Sequence, residues 1–299
     1  MVKRPRQAIA LLVHRDVSQI NSLIKTLEQD FDLYIHVDKK AKIDLSSIQS
    51  PNVWSEYKVH WGSYDIVQST IFLYKKILES KIPYTHVILL SGDSLPVKSN
   101  EYIADFLTAS QGISFIENLP ADEDCLDRRR LIWYKEDLKI RLRGFSRLKN
   151  PFKIIRWFQK KLNLKRSAAG FERTGSQWTI LALSHVQHMM DHCQFSRYRF
   201  TAVPDESFVQ NHFNQYNIPY GNYLIYAHWP SKKSFSPHFI DEATYVTLLN
   251  SPYLFARKFE AIPNVSARNT VIKSFNQEKA MAYTALISDS LGHSKPYYD

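Results

Sequence analysis

The stretch Thr85-His-Val-Ile-Leu-Leu-Ser-Gly-Asp93 decides the fold. Thr85–Leu90 reads as a strand whose last four residues, Val87–Leu90, are apolar without interruption on either face, the signature of a strand covered on both sides. It stops at Ser91-Gly92-Asp93, a small polar turn with a carboxylate at its end. Working outward, Ser63–Ser80 reads as an amphipathic helix, with Ile66, Val67, Ile71, Tyr74 and Leu78 on one side. Asn52–Val59 reads as a short strand and Phe31–Val37 as another. Ser18–Asp30 reads as a helix capped by Ser18, and Ala8–Val13 as the first strand. Strands alternating with helices predict an α/β fold with a parallel sheet covered on both faces.

In such sheets ligands bind beyond the carboxyl ends of the strands. The polar residues there are His14, Asp38 and Asp93. Three on one edge favour a nucleotide-type site. The chain has no GxGxxG and no GxxxxGK[ST], and only eight glycines. Hydride-transfer and P-loop chemistry lose their usual support, and a bound diphosphate needs cationic side chains instead of a glycine-rich loop.

Bulk properties bound the rest. The 299 residues, 44% of them apolar, suffice for one sizeable core and exclude global disorder. Cys125 and Cys193 have no zinc spacing, and two buried thiols in a reducing compartment are expected. The apolar run after the basic start is too short to span a membrane, which predicts a cytoplasmic protein. The net charge of +10 is local. Residues 139–166 hold 11 Lys and Arg and no acid, while the remainder holds 28 basic and 29 acidic residues. Asn150-Pro151 reads as a cap and first turn. Ile154, Ile155, Phe158 and Leu162 then fall on one side of a helix, with Lys153, Arg156 and Lys160 on the other. Docking on the protein's own body with a solvated basic face competes with peripheral contact to the anionic inner face of a membrane, and docking combined with membrane contact is the preferred reading. No nucleic-acid motif accompanies the charge, so no nucleic-acid partner is expected.

The segments LLVHRD (11–16), LYIHVDKK (33–40), VHWGSYDIVQS (59–69), HVILLSGDSLPVKSNEYI (86–103), GSQW (175–178), VPDESF (203–208) and LFARKFEA (254–261) resemble, in this order, the core-2/I-branching N-acetylglucosaminyltransferases and the related peptide O-xylosyltransferases. The resemblance covers roughly residues 7–262. It implies a GT-A fold: a Rossmann-like nucleotide half at about 7–120, a basic helical insert at about 136–168, and a catalytic and acceptor half at about 170–262. A helical tail would follow at 263–299. It also implies an inverting transfer of N-acetylglucosamine or xylose from a UDP-sugar to a glycan or lipid-linked glycan hydroxyl, in surface polysaccharide synthesis.

Residue by residue, the resemblance makes Glu206 the catalytic base, with Asp205 as the alternative. The residues themselves agree: Pro204 can hold a loop, Asp205 or Ser207 can cap the next helix, and Phe208, Val209 and Phe213 can anchor it. Arg257 and Lys258 match the cations that hold the leaving diphosphate. Lys232, Lys233 and His238 are open candidates for a further one. Val13, His14, Asp38, Trp61 and Gly62 match the nucleoside side. Asp93, Gln177, Trp178 and Trp229 would face donor sugar or acceptor. Gln177 stands where xylosyltransferases tend to carry an acid, which leaves the donor open. The strand end at Asp93 supplies one carboxylate rather than Asp-x-Asp, and Asp122-Glu123-Asp124 reads as a solvated acidic loop. No metal cofactor is expected. A non-catalytic nucleotide-sugar or glycan binder recruited to membranes by its basic helix is the competing function.

Overall fold

The computed structural model describes residues 5–134, 152–229 and 236–259. The sheet expected from the sequence is present at its core. β1 (Gln7–Val13) lies between β2 (Phe31–Val37) and β4 (His86–Ser91), parallel to both, and β3 (Val53–Trp54) pairs outside β2. The period-2 alternation of β1 sorts its side chains between two cores. Ile9, Leu11 and Val13 pack with Ile20, Leu23, Ile24 and Leu27 of α1 (Val17–Leu27). Ala8 and Ala10 face the other way, against Val67, Leu73, Tyr74 and Ile77 of α2 (Tyr64–Glu79).

The sheet is not wholly parallel, as the sequence led one to expect. Beyond β4 come β9 (Ile180–Ala182), β6 (Ser114–Phe115) and β10 (Tyr220–Gly221), and β9 runs antiparallel to both β4 and β6. A short apolar run carries no information on strand direction. Three local readings also change. α1 is capped by Asp16, whose Oδ1 accepts from Gln19 N at 3.0 Å, so Ser18 lies inside the helix. β3 covers two residues instead of eight. Polar side chains take over from the ladder after Trp54: Tyr57 N donates to His36 Nε2 (3.1 Å) and Val59 N to Asp38 Oδ1 (3.0 Å). Asp122-Glu123-Asp124 is solvated but is not a loop. Asp122 caps α4 (Glu123–Arg130), accepting from Cys125 N at 2.7 Å, and the next two acids complement the helix N-terminus. Both cysteines are free and half-buried rather than buried.

Two small sheets position the chemistry. β5 (Ser94–Pro96) starts one residue after Asp93 and runs antiparallel to β12 (Phe255–Arg257), placing Arg257 opposite Ser94; β11 (Ile225–Ala227) flanks β12. β7 (Leu119–Pro120) pairs with β8 (Arg173–Thr174), which leads into Gly175-Ser176-Gln177-Trp178. No helix among the described residues is long and apolar enough to cross a membrane. The expected helix start at Asn150-Pro151, Lys232 and Lys233, and the tail at 263–299 lie outside the described residues.

Candidate active site

Two clusters of charge stand at the carboxyl side of the sheet. The first surrounds Asp93. Its Oδ1 is 3.3 Å from Arg257 Nη2, and its Oδ2 is 3.9 Å from Lys258 Nζ and 3.8 Å from Arg15 Nη2. Ser91 Oγ donates to the same carboxylate and accepts from Arg257 Nε at 3.2 Å. Phe259 N donates to the Asp93 carbonyl at 3.0 Å, locking the end of β12 onto the turn. Burial pushes the Asp93 carboxyl upward, but Arg257, the Ser91 hydroxyl and Lys258 together outweigh it and hold the carboxyl below its ordinary value. Three cations against one carboxylate leave an excess of two positive charges. The Arg257 guanidinium also lies 4.6 Å over the Trp178 ring. His14 sits at the rim. Its pKa is lowered by burial and by the Arg15 charge, so the imidazole stays neutral near pH 7.

The second cluster is acidic. Pro204–Glu206 forms a single 3-10 turn entered through Val203, whose φ of 50° is left-handed. The next helix, α7 (Phe208–Gln215), buries Phe208, Val209 and Phe213 as anchors. Neither Asp205 nor Ser207 caps it; Ser207 Oγ instead accepts from Asn211 Nδ2 at 2.9 Å. The Glu206 carbonyl is held three times over, by Gly175 N (3.1 Å), Arg129 Nη2 (3.1 Å) and Thr174 Oγ1 (3.3 Å). Arg129 is fully buried and also donates to the Arg173 carbonyl (2.9 Å) and Thr174 Oγ1 (2.8 Å). A side chain at Gly175 would land on the Glu117 carbonyl oxygen, so glycine is required for this close approach.

Burial raises the Glu206 carboxyl above the ordinary glutamate range, opposed by Arg129 and Arg128. Asp205 is raised by burial and, next, by the Glu206 charge, and its Oδ1 is buried without a hydrogen-bond partner. Two adjacent carboxyls cannot both ionise cheaply. Asp205 is the more enclosed of the two, which leaves Glu206 the more accessible candidate base. Glu117 stands close enough for the Glu206 charge to raise it, after the larger effect of burial.

The segment Thr174–Trp178 joins the clusters. Gly175 holds Glu206, Ser176 Oγ accepts from Tyr223 OH at 2.7 Å, Trp178 N donates to Ser176 Oγ at 3.2 Å, and the Trp178 ring lies beneath Arg257. Gln177 Nε2 is buried with no hydrogen-bond partner. Gly62, at φ 67°, accepts from Val203 N at 2.9 Å, which puts Trp61-Gly62 beside the carboxylate turn. Trp61 and Trp229 are exposed, not core. Val13 is buried against Gly92. Asp38 spends Oδ1 on the amides of Lys40 and Val59, leaving Oδ2 near Lys40 Nζ at 3.6 Å. His238 N donates to the His228 carbonyl (2.8 Å), and its ring packs 5.6 Å from that of His228. Lys258 Nζ reaches toward Ser236 Oγ at 3.4 Å. Among the described residues no group of three or more His, Cys, Asp or Glu is arranged to hold a metal ion.

Sequence reasoning missed Arg15, Arg129, Glu117 and Tyr223. Arg15 follows His14 directly and was passed over within the LLVHRD segment. Glu117 follows a strand of two residues, too short for periodicity to reveal the post-strand position.

The profile of the Core-2/I-Branching enzymes matches residues 8–234. The chain is 29% identical over 125 residues to the xylosyltransferase oxt of Drosophila pseudoobscura pseudoobscura, covering 38% of this chain and 14% of that protein. It is 24% identical over 213 residues to a beta-1,3-galactosyl-O-glycosyl-glycoprotein beta-1,6-N-acetylglucosaminyltransferase of bovine herpesvirus 4, covering 67% and 44%. Against human xylosyltransferase 1 it is 24% identical over 299 residues, covering 87% and 29%. The chain thus spans less than half the length of each of these relatives. With the family profile running from β1 past Arg15, Asp93 and Glu206 as far as residue 234, about three quarters of the chain, this chain belongs to the Core-2/I-Branching enzyme family.

Proposed function

We propose that the chain is an inverting, UDP-sugar-dependent glycosyltransferase of GT-A type that moves N-acetylglucosamine or xylose to a hydroxyl of a surface glycan under construction. The observation that carries this reading is the single segment Thr174–Trp178, which ties the turn bearing the half-buried Glu206 to a cation cluster. The two donor candidates are the sugars named in the relatives' activities.

Glu206 takes the proton of the acceptor hydroxyl. The acceptor oxygen forms its bond to the anomeric carbon from the side opposite the leaving group. The bond from that carbon to the diphosphate oxygen breaks, and its electron pair departs on UDP. Arg257, Lys258 and Arg15 meet that charge with an excess of two positive charges already oriented by Asp93. Asp93 is committed to these cations, which makes it a poor ligand for a divalent metal, and the reading includes no metal cofactor. A raised pKa suits a general base that must hold a proton transiently.

The test is UDP release by the purified protein across a panel of UDP-sugars with sugar acceptors, with and without EDTA. Release from one donor that survives EDTA is expected. Release abolished by EDTA would overturn the role given to Arg257 and Lys258. No release together with no UDP binding would overturn the transferase reading in favour of a glycan-binding module.

A further inference from the structure

The helix α5 (Phe152–Lys161) is docked inside out. The expected arrangement put its apolar residues on the body and its basic residues in solvent. Instead the polar residues face inward. Gln159 is 6% exposed and makes a two-way bond with the backbone of Ile132: Ile132 N donates to Oε1 (2.8 Å) and Nε2 donates to the carbonyl (3.2 Å). The Arg156 guanidinium lies 4.5 Å over the Trp133 ring. The outward face carries Ile154 (60% exposed), Ile155 (41%), Trp157 (53%) and Phe158 (48%), continuing into Leu162 (60%) and Leu164 (59%). At 3.6 residues per turn, Ile154, Ile155, Trp157, Phe158 and Leu162 fall within an arc of about 160°. Six large apolar side chains in eleven residues is far more than scattered surface hydrophobics require.

The polar attachment is firm. The Arg166 guanidinium donates to the carbonyls of Arg129, Leu131, Arg197 and Phe200 and to Thr201 Oγ1, and Arg166 N donates to the Arg130 carbonyl at 3.0 Å. The segment is thus fastened to the residues that lead into Arg129, which holds the Glu206 carbonyl. The apolar face cannot turn inward without breaking these bonds.

We propose that this face is a docking surface for an anionic lipid bilayer. Charge complementarity selects this occupant. Residues 139–166 hold 11 cations and no acid; at about 100° per residue Lys161 falls within the apolar arc and Lys160 beside it, while Lys165 pairs with Asp127 at 2.7 Å. Lys161 Nζ sits 4.7 Å over the Trp157 ring, its stem lying along apolar surface with the charge at the tip. Aromatic and aliphatic side chains dip into the headgroup boundary while lysines meet lipid phosphates. A second copy of the chain would bring the same positive charge to this face, which disfavours self-association there. The inference does not depend on the donor sugar or on Glu206 acting as base.

The experiment is co-sedimentation of the full chain with vesicles of phosphatidylcholine alone and of phosphatidylcholine mixed with phosphatidylglycerol, at low and high salt. Binding at least about tenfold stronger to the mixed vesicles, weakened by salt, is expected. The double variant Trp157→Glu, Phe158→Glu should lose about tenfold or more of that binding while keeping its thermal midpoint and its turnover of a soluble acceptor, since both side chains are exposed. Ile154→Glu with Leu162→Glu, on the same arc, serves as an independent second variant. Equal binding to both vesicle types, or binding that neither variant reduces, would overturn the proposal. So would the absence of vesicle binding, or light scattering that shows the variants dissociating an oligomer instead.

Discussion

Glu206→Gln is expected to lower sugar transfer by about 10²–10⁴-fold, the range for losing a positioned general base, while UDP affinity stays within a few-fold of the unmodified protein. Glutamine keeps the shape of the side chain and cannot accept the proton. Its backbone carbonyl, held by Gly175, Arg129 and Thr174, is untouched by the change. Under the proposed function, nucleotide affinity is assigned to the cation cluster around Asp93. Steady-state transfer beside calorimetric UDP binding separates the two quantities. Asp205→Asn is the control that discriminates the neighbouring carboxyls. If Asp205 holds its proton while Glu206 ionises, asparagine mimics the working state and most activity remains.

The pH behaviour follows from the same burial. With Glu206 as the proposed base, the rate is expected to rise with pH through a pKa lifted above the ordinary glutamate range by burial. The stability effect of Asp205 has the opposite sense. Its folded pKa is raised above its unfolded value by burial and by the Glu206 charge. The stability it contributes is fully present below about pH 4, where the unfolded carboxyl is still protonated, and is lost as pH rises through the folded pKa. Asp205→Asn should therefore gain thermal stability over the unmodified protein progressively as pH increases above about 4.

Arg257→Ala is expected to reduce kcat by about 10²–10³-fold, the usual loss for one preorganised group facing developing charge, and to weaken UDP binding as well. The side chain has three attachments that fix its direction: Asp93 Oδ1, Ser91 Oγ and the Trp178 ring. Alanine removes the charge and leaves Asp93 less neutralised, so the remaining carboxylate repels the incoming diphosphate. Arg257→Lys keeps the charge but loses the planar fork and its stacking, and should fall between the two. Turnover and UDP affinity measured together distinguish this from Glu206→Gln, which spares affinity.

Much of the N-terminal α/β sheet was legible in the sequence because β1, β2 and β4 are long enough for their periodicity to speak, and the post-strand rule pointed to Asp93. The resemblance supplied Glu206, Arg257 and Lys258. What escaped the reading was long-range: Arg257 meets Asp93 only because β12 runs antiparallel to β5, two strands of three residues. Arg129 is one of three consecutive arginines, and nothing local shows that it alone is buried. Helix α5 shows the limit most clearly. Its amphipathicity was plain, but the pattern cannot say which face meets the body, and hydrogen bonds from Gln159 and Arg166 decide that against the apolar side. Nor could the post-strand position of Asp38 show that two backbone amides occupy one of its oxygens.

The most direct test of the central claim is the anomeric configuration of the transferred sugar, read by proton NMR on the product formed from the donor that the UDP-sugar panel identifies. Direct displacement with Glu206 as base predicts a linkage opposite in configuration to the donor. A product with the donor's configuration would contradict the account, since it would require a second displacement or front-side attack and would remove Glu206 from the role of sole base.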